Sequence, residues 1–266
     1  MQNEQTESAD LRTVLAAGIQ ALRLSGSENA RLDAEVLLCA LLGFTDRSAL
    51  ILREALPLTA EQRRDFQAAI ARRARSEPLA YILGYREFCS HRFEVNRHVL
   101  IPRPETELMV EAVGRDFPEC RNFDSPGPPL RVLDMCCGSG CLGISVAGEC
   151  GRVELVLADK SPEALAVCRR NAENILEKNT RWWAVQGDLF QALDDLPDQR
   201  PFDVIVANPP YIHPDEATAL QPDVRDYEPA MALFCDPAGD LLARLIAEAA
   251  GHLRSGGRLY MEIADR

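Results

Sequence analysis

Four consecutive residues, Asn208-Pro209-Pro210-Tyr211, have the types needed to hold a planar nitrogen. A nitrogen conjugated to a carbonyl or a ring has a delocalised lone pair and is a poor nucleophile. An oxygen acceptor for each of its N–H groups holds it and biases electron density towards nitrogen. The Asn208 side-chain oxygen can take one N–H and the Pro209 carbonyl the other. Two prolines in a row stiffen the turn so that both acceptors stay aimed, and Tyr211 offers a flat apolar wall. The tetrapeptide points to transfer onto an amide or exocyclic amine nitrogen and leaves open which molecule carries it.

A second segment supplies a partner for that chemistry. Val132-Leu133-Asp134-Met135-Cys136-Cys137-Gly138-Ser139-Gly140-Cys141-Leu142-Gly143 reads as a strand, a glycine turn and a helix start. Gly138, Gly140 and Gly143 match GxGxxG, a pattern shared by dinucleotide sites and S-adenosylmethionine sites. Asp159 lies 19 residues past Gly140, at the end of the next strand, where an acid binds a ribose diol. Asp134 separates the two options. A carboxylate this close repels an anionic pyrophosphate, whereas the sulfonium and ammonium of S-adenosylmethionine tolerate it. Asp188, in Gln186-Gly187-Asp188-Leu189-Phe190, is placed to bond an adenine amino group. The expected cofactor is S-adenosylmethionine, leaving S-adenosylhomocysteine, with no metal.

The nine cysteines form no paired CxxC pattern. Cys136, Cys137 and Cys141 are packed too tightly for a zinc site and have no histidine near them; they read as small residues filling the loop. Their place at a helix N-terminus predicts lowered thiol pKa values, so that oxidation would impair cofactor binding. The N-terminus lacks the basic flank and apolar centre of a secretory signal, which predicts reduced thiols and a cytoplasmic protein. No stretch approaches the roughly 20 apolar residues of a membrane helix.

The elements that must position these residues follow from spacing. Leu11, Val14, Leu15, Gly18, Ile19 and Leu22 recur at helical intervals up to a break at Ser25-Gly26-Ser27. A second helix runs through Ala34–Leu42, with Gly43 as its C-cap. Thr59 and Gln62 predict a capped helix to about Ser76, carrying Arg63, Arg64, Arg72, Arg73 and Arg75 on a solvated face or a surface for an acidic partner. Tyr81 to Ile101 reads as a short hairpin, stopped by Pro102-Arg103-Pro104. Helical spacing resumes over Glu105–Val113, and 122–129 reads as a loop. Strands are then expected at 130–134, 153–158, 181–185, 202–207 and, after a Gly256-Gly257 turn, 258–263. Helices fall between them, at 140–147, from Ser161-Pro162-Glu163, and at 239–253. This alternation predicts an α/β, doubly wound parallel sheet. The resulting division is a helical domain at 1–80, a hairpin linker at 81–104 and a catalytic domain at 105–266.

Charge is distributed unevenly. Residues 1–80 hold ten Arg and eleven Asp or Glu, a net of −1, so −11 of the total −12 falls in 81–266. An acidic catalytic half is a poor match for duplex DNA or RNA. That argues against a nucleic-acid amino-methyltransferase, which would flip its base into the same pocket. A dinucleotide oxidoreductase explains the glycines and leaves Asn208–Tyr211 idle. A non-catalytic binding module that keeps the fold is the third alternative.

Further motifs narrow the reading. Glu77-Pro78-Leu79-Ala80-Tyr81-Ile82-Leu83-Gly84, Phe88, Phe93-Glu94-Val95, Leu100-Ile101-Pro102-Arg103-Pro104-Glu105-Thr106-Glu107 and Tyr227-Glu228-Pro229 accompany the loop and the tetrapeptide. Together, over about residues 28–262, they resemble the release-factor glutamine N5-methyltransferases of the PrmC/HemK type. The resemblance implies a Rossmann-like methyltransferase domain and a helical N-terminal domain that helps dock the substrate. It implies a monomer that methylates the glutamine of the Gly-Gly-Gln motif in bacterial-type class 1 peptide chain release factors, without membrane or direct nucleic-acid partners. Cofactor roles carry to Asp134, Cys136, Cys137, Gly138, Ser139, Gly140, Asp159, Asp188, Leu189 and Asn208. Catalysis carries to Asn208, Pro209, Pro210 and Tyr211. Substrate contacts carry to Arg103, Pro104, Glu105 and Thr106, together with Asn208 and Tyr211. The chain departs from the family at Cys136, where a glycine is usual, at Cys137, where threonine is common, and at Leu189, where an aromatic is frequent. The Cys-x-Gly-Ser-Gly-Cys run is also similar to sister enzymes that methylate a ribosomal protein. The sequence stops at Arg266, where the family continues into two further strands, so those strands are expected to be missing.

Overall fold

The computed structural model describes residues 9–121, 127–235 and 240–263, so most of the 122–129 loop lies outside it. The chain divides into two compact units, Met1–Leu83 and Gly84–Arg266.

The first unit is helical: α1 (Leu11–Leu24), α2 (Ala30–Leu42), α3 (Ser48–Leu52), α4 (Ala60–Arg73) and α5 (Leu79–Leu83). Gly43 caps α2 with φ +68, and Thr59 and Gln62 form a reciprocal capping box on α4. Leu11, Leu22, Leu38 and Phe66 are almost wholly buried in one core. α4 ends three residues earlier than its spacing suggests, Arg64 and Arg75 are exposed, and the other three arginines bond within the unit. Arg73 pairs with buried Asp33 at 2.7 Å, Arg72 holds Glu77 at 2.6 and 2.8 Å, and Arg63 donates to the Leu58 carbonyl at 3.1 Å. These three arginines bind their own unit.

The second unit opens with the antiparallel hairpin β1 (Tyr85–Phe88) and β2 (His91–Glu94). Its two-residue turn puts Cys89 and Ser90 at φ +45 and +63, the hand that matches strand twist. Phe88 and Phe93 meet edge to face inside the core of this unit, so the hairpin is built into it. Then follow α6 (Glu107–Asp116), β3 (Leu130–Met135), α7 (Cys141–Cys150), β4 (Val153–Asp159), α8 (Pro162–Ile175), β5 (Arg181–Gln186), β6 (Phe202–Ala207), α9 (Pro222–Tyr227), α10 (Ala230–Leu233), α11 (Asp240–His252) and β7 (Leu253–Met261). Ser161 caps α8 from its side chain, with Pro162 in the first turn.

The five strands β3 to β7 form a parallel sheet in the order β5-β4-β3-β6-β7. Side chains alternate between two cores, as strand pleating requires. Val132, Leu155, Leu157, Val204 and Val206 pack towards the α6–α8 side, while Leu133, Met135, Val156, Ile205 and Ala207 pack on the side of Leu245 and Ala249 of α11. The sheet is therefore wound on both faces. Chain progression reverses between β3 and β6, which makes that pair the place where a ligand crevice opens.

Two expectations change. Gly256-Gly257 does not precede the last strand; both lie within β7. Phe202 pairs with Leu253 but Val204 pairs with Arg258, so the extra residues of β7 bulge out, helped by the left-handed φ of +76 at Gly256. Cys120 and Cys150 are joined as a disulfide with Cα atoms 4.7 Å apart, in place of the uniformly reduced thiols expected. A CxxC search could not find a pair 30 residues apart that only the packing of this segment against α7 brings together.

Candidate active site

Met135 of β3 and Ala207 of β6 are directly paired in the sheet, so Cys136 and Asn208 leave it side by side. The two loops open on one cavity of about 460 Å³, within the range of small-molecule sites.

The glycine loop forms its floor. Asp134, Cys136, Cys137, Gly138 and Ser139 line the cavity, and Gly140 sits behind them as the N-cap of α7 with φ +79. Asp134 is fully buried and accepts the Gly143 amide at 2.8 Å. A Cβ on Gly143 would stand 2.7 Å from that of Asp134, so this glycine serves the close packing of helix on strand. Asn171 of α8 locks the loop from behind, donating to the Ser139 carbonyl at 2.8 Å while pairing with both backbone groups of Glu94.

Acids ring the floor. Asp159 accepts the Gly138 amide at 2.8 Å and the Ser161 amide at 2.9 Å. Asp188 meets Lys160 at 3.1 Å and Arg244 at 3.4 Å, and these cations hold its carboxyl below the usual range. Leu189 follows, buried, with φ +49. Burial pushes the Asp134 carboxyl up to about 7 against the opposing pull of the Gly143 amide, and burial raises that of Asp159.

The opposite wall carries the acceptor turn. Asn208 and Pro210 line the cavity, with Arg103 and Thr106 from the segment before α6. Pro209 is buried outside the lining, and Tyr211 also lies outside it, with its hydroxyl 3.3 Å from Glu262. Pro104 and Glu105 point to solvent in a 3-10 turn and do not line the cavity. Arg103 is held at 2.6 Å by Glu228, whose other oxygen takes the Ile101 amide at 3.0 Å. Beyond the turn, Ile212 exchanges hydrogen bonds with Leu233 and Cys235, anchoring the loop to the end of α10.

Two family models match the chain, the PrmC N-terminal domain over residues 13–84 and the methyltransferase small domain over 121–223. The release factor glutamine methyltransferase of Leptospira interrogans is 39% identical over 94% of this chain and 84% of its own length. That of Geobacter sulfurreducens is 41% identical over 98% of this chain and 86% of its own. The chain belongs to the release factor glutamine methyltransferases. A methyltransferase of this family uses S-adenosylmethionine, and the cavity fits it: Gly138 leaves open space where a Cβ would stand, and the carboxylates of the floor suit a cation.

The loop thiols correct the sequence reading. Burial drives Cys136, Cys137 and Cys141 upward, and the carboxylates of Asp134 and Asp159 push Cys136 and Cys137 the same way. Burial disfavours the thiolate at all three positions, which is the opposite of the lowered values expected from the helix terminus. Among the described residues no group of three or more His, Cys, Asp or Glu is arranged to hold a metal, and no helix is long and apolar enough to cross a membrane.

Sequence reasoning missed Glu262 and assigned no role to Glu228. Glu262 follows β7 directly, and its amide bonds the Ala207 carbonyl at 3.0 Å. A carboxylate just beyond the end of the strand beside β6 was the available signal.

Proposed function

We propose that this chain transfers a methyl group from S-adenosylmethionine to the side-chain amide nitrogen of the glutamine in the Gly-Gly-Gln motif of class 1 peptide chain release factors, in the cytoplasm and as a monomer. The observation that carries this reading is that the Asn208 turn and the glycine loop open on one cavity from paired strands. Bound S-adenosylmethionine supplies a methyl carbon activated by its sulfonium. The residues of the chain do the rest by placement. Asn208 Oδ1 accepts one N–H of the glutamine amide and the Pro209 carbonyl accepts the other, which fixes the nitrogen and favours density on it; as the nitrogen gains the methyl group, one of these protons is released to water. Arg103 and Thr106 border the amide site, with Arg103 steadied by Glu228. Asp159 and Asp188 hold the cofactor's ribose and adenine, and Asp134 faces its cationic end. Holding two reactants in register accounts for much of the rate in such transfers.

The test is incubation of the full chain with labelled S-adenosylmethionine and, separately, a purified release factor, ribosomal proteins and duplex DNA. Label on the release factor alone is the expected result. Label on DNA or a ribosomal protein, with none on the release factor, overturns the proposal.

A further inference from the structure

An asparagine amide has two ends of nearly equal shape, and sterics do not decide which one faces a cavity. For Asn208 the choice matters. With Nδ2 turned to the substrate, a donor would meet the donors of the glutamine amide and the site would repel its substrate.

The surrounding bonds make the choice. Thr106 is buried, and its hydroxyl lies 2.6 Å from Glu262 Oε2. A carboxylate offers only acceptors, so the single hydroxyl proton of Thr106 goes to Glu262. The Thr106 oxygen is then left with lone pairs alone. Asn208 stands 3.4 Å from that oxygen, and the group it presents there is Nδ2. Oδ1 is therefore directed away from Thr106. Glu262 is itself fixed, its amide on the Ala207 carbonyl at 3.0 Å and its Oε1 3.3 Å from the Tyr211 hydroxyl. The residues on either side of the Asn208-Pro209-Pro210 turn are thus tied to one residue, Ala207 to its backbone amide and Tyr211 to its carboxylate.

We infer that Glu262 and Thr106 are positioning residues that set the polarity of the Asn208 amide, so that its oxygen faces the acceptor nitrogen. This rests on the reading of Asn208 as the glutamine-binding acceptor. Thr106→Val keeps the shape and removes the proton donor to Glu262 and the acceptor for Nδ2. Glu262→Gln introduces an NH2 that can donate to Thr106, which frees the hydroxyl to donate to Asn208 and lets the amide turn over.

The experiment uses the full chain with a release factor and S-adenosylmethionine. Thr106→Val and Glu262→Gln are each expected to lower kcat by roughly tenfold or more, the scale of one buried polar group set against the wrong partner. The dissociation constant for S-adenosylmethionine should stay within about twofold of the parent, since neither change touches the glycine loop. Thr106→Ser should restore most of what Thr106→Val loses, and the double variant Thr106→Val/Glu262→Gln should be no worse than the poorer single one, as expected of groups in one chain of bonds. A second readout needs no activity. In the free protein, the side-chain NH2 resonances of Asn208 should shift in Thr106→Val and return in Thr106→Ser. If the wild type methylates no release factor, the functional reading fails, and these resonances still decide the relay. Unchanged kcat in both single variants, or Asn208 resonances indifferent to Thr106→Val, would overturn it.

Discussion

The Asp134 carboxylate receives the Gly143 amide proton at 2.8 Å, tying the end of β3 to the first turn of α7. The contact leaves no room at residue 143, where an added Cβ would come within 2.9 Å of the same carboxylate oxygen. Gly143→Ala is expected to cost about 1–3 kcal/mol through overpacking, and to weaken S-adenosylmethionine binding because the loop must shift. Chemical denaturation and calorimetric titration read the two effects.

The same carboxyl should give the protein a pH-dependent stability. Its value is raised from the usual 3.8 to about 7, so between those limits the folded chain keeps a proton that the unfolded chain has released. Stability contributed by this group is full below about pH 4 and is lost as pH rises towards 7. Asp134→Asn removes that loss, and its stability relative to the parent should climb over the interval by up to about 4 kcal/mol. A bound cation favours the ionised form, so S-adenosylmethionine affinity of the parent should rise with pH over the same range while that of Asp134→Asn stays flat. Denaturation and binding measured from pH 4 to 8 check both.

Glu228 holds Arg103 and the Ile101 amide together from a side chain only 1% exposed. Glu228→Ala strands a buried amide and a half-buried guanidinium, with an expected loss of about 2–4 kcal/mol. The segment carrying Arg103 and Thr106 then loosens, so KM for the release factor should rise more than that for S-adenosylmethionine. Steady-state kinetics with each substrate varied in turn separates the two.

Cys136 lines the cavity, yet its thiol is pushed upward by burial and by Asp159, Asp134 and Asp188. Because the thiolate is the reactive form, Cys136 should alkylate much more slowly than a free cysteine peptide at pH 8. Mild peroxide should likewise leave S-adenosylmethionine affinity unchanged. Peptide mapping by mass spectrometry after timed alkylation follows the first, and titration after peroxide the second.

The sheet and the two loops were legible because short-range physics writes them: apolar runs for buried strands, GxGxxG for a tight turn, Ser161-Pro162 for a helix start. The shared cavity was legible too, through the rule that ligands collect beyond strand ends. What escaped depends on contacts across long stretches of chain. Glu262 reaches Thr106 over 156 positions and Glu228 reaches Arg103 over 125, and no local pattern marks either pairing. The loop thiols were misjudged for the same reason, since the packing that buries them, and the acids that add to it, come from separate parts of the chain. The Tyr211 hydroxyl, 3.3 Å from Glu262, is a further contact across 51 positions that no local pattern marks.

The most direct test of Asn208 as the amide acceptor is mass spectrometry of a release factor after incubation with S-adenosylmethionine and either the wild type or Asn208→Ala. The wild type should leave one methyl on a single glutamine, in the Gly-Gly-Gln motif. Asn208→Ala should leave none while binding S-adenosylmethionine about as tightly as the parent. A methylated glutamine at undiminished rate with Asn208→Ala, or a methyl placed elsewhere by the wild type, would contradict the account.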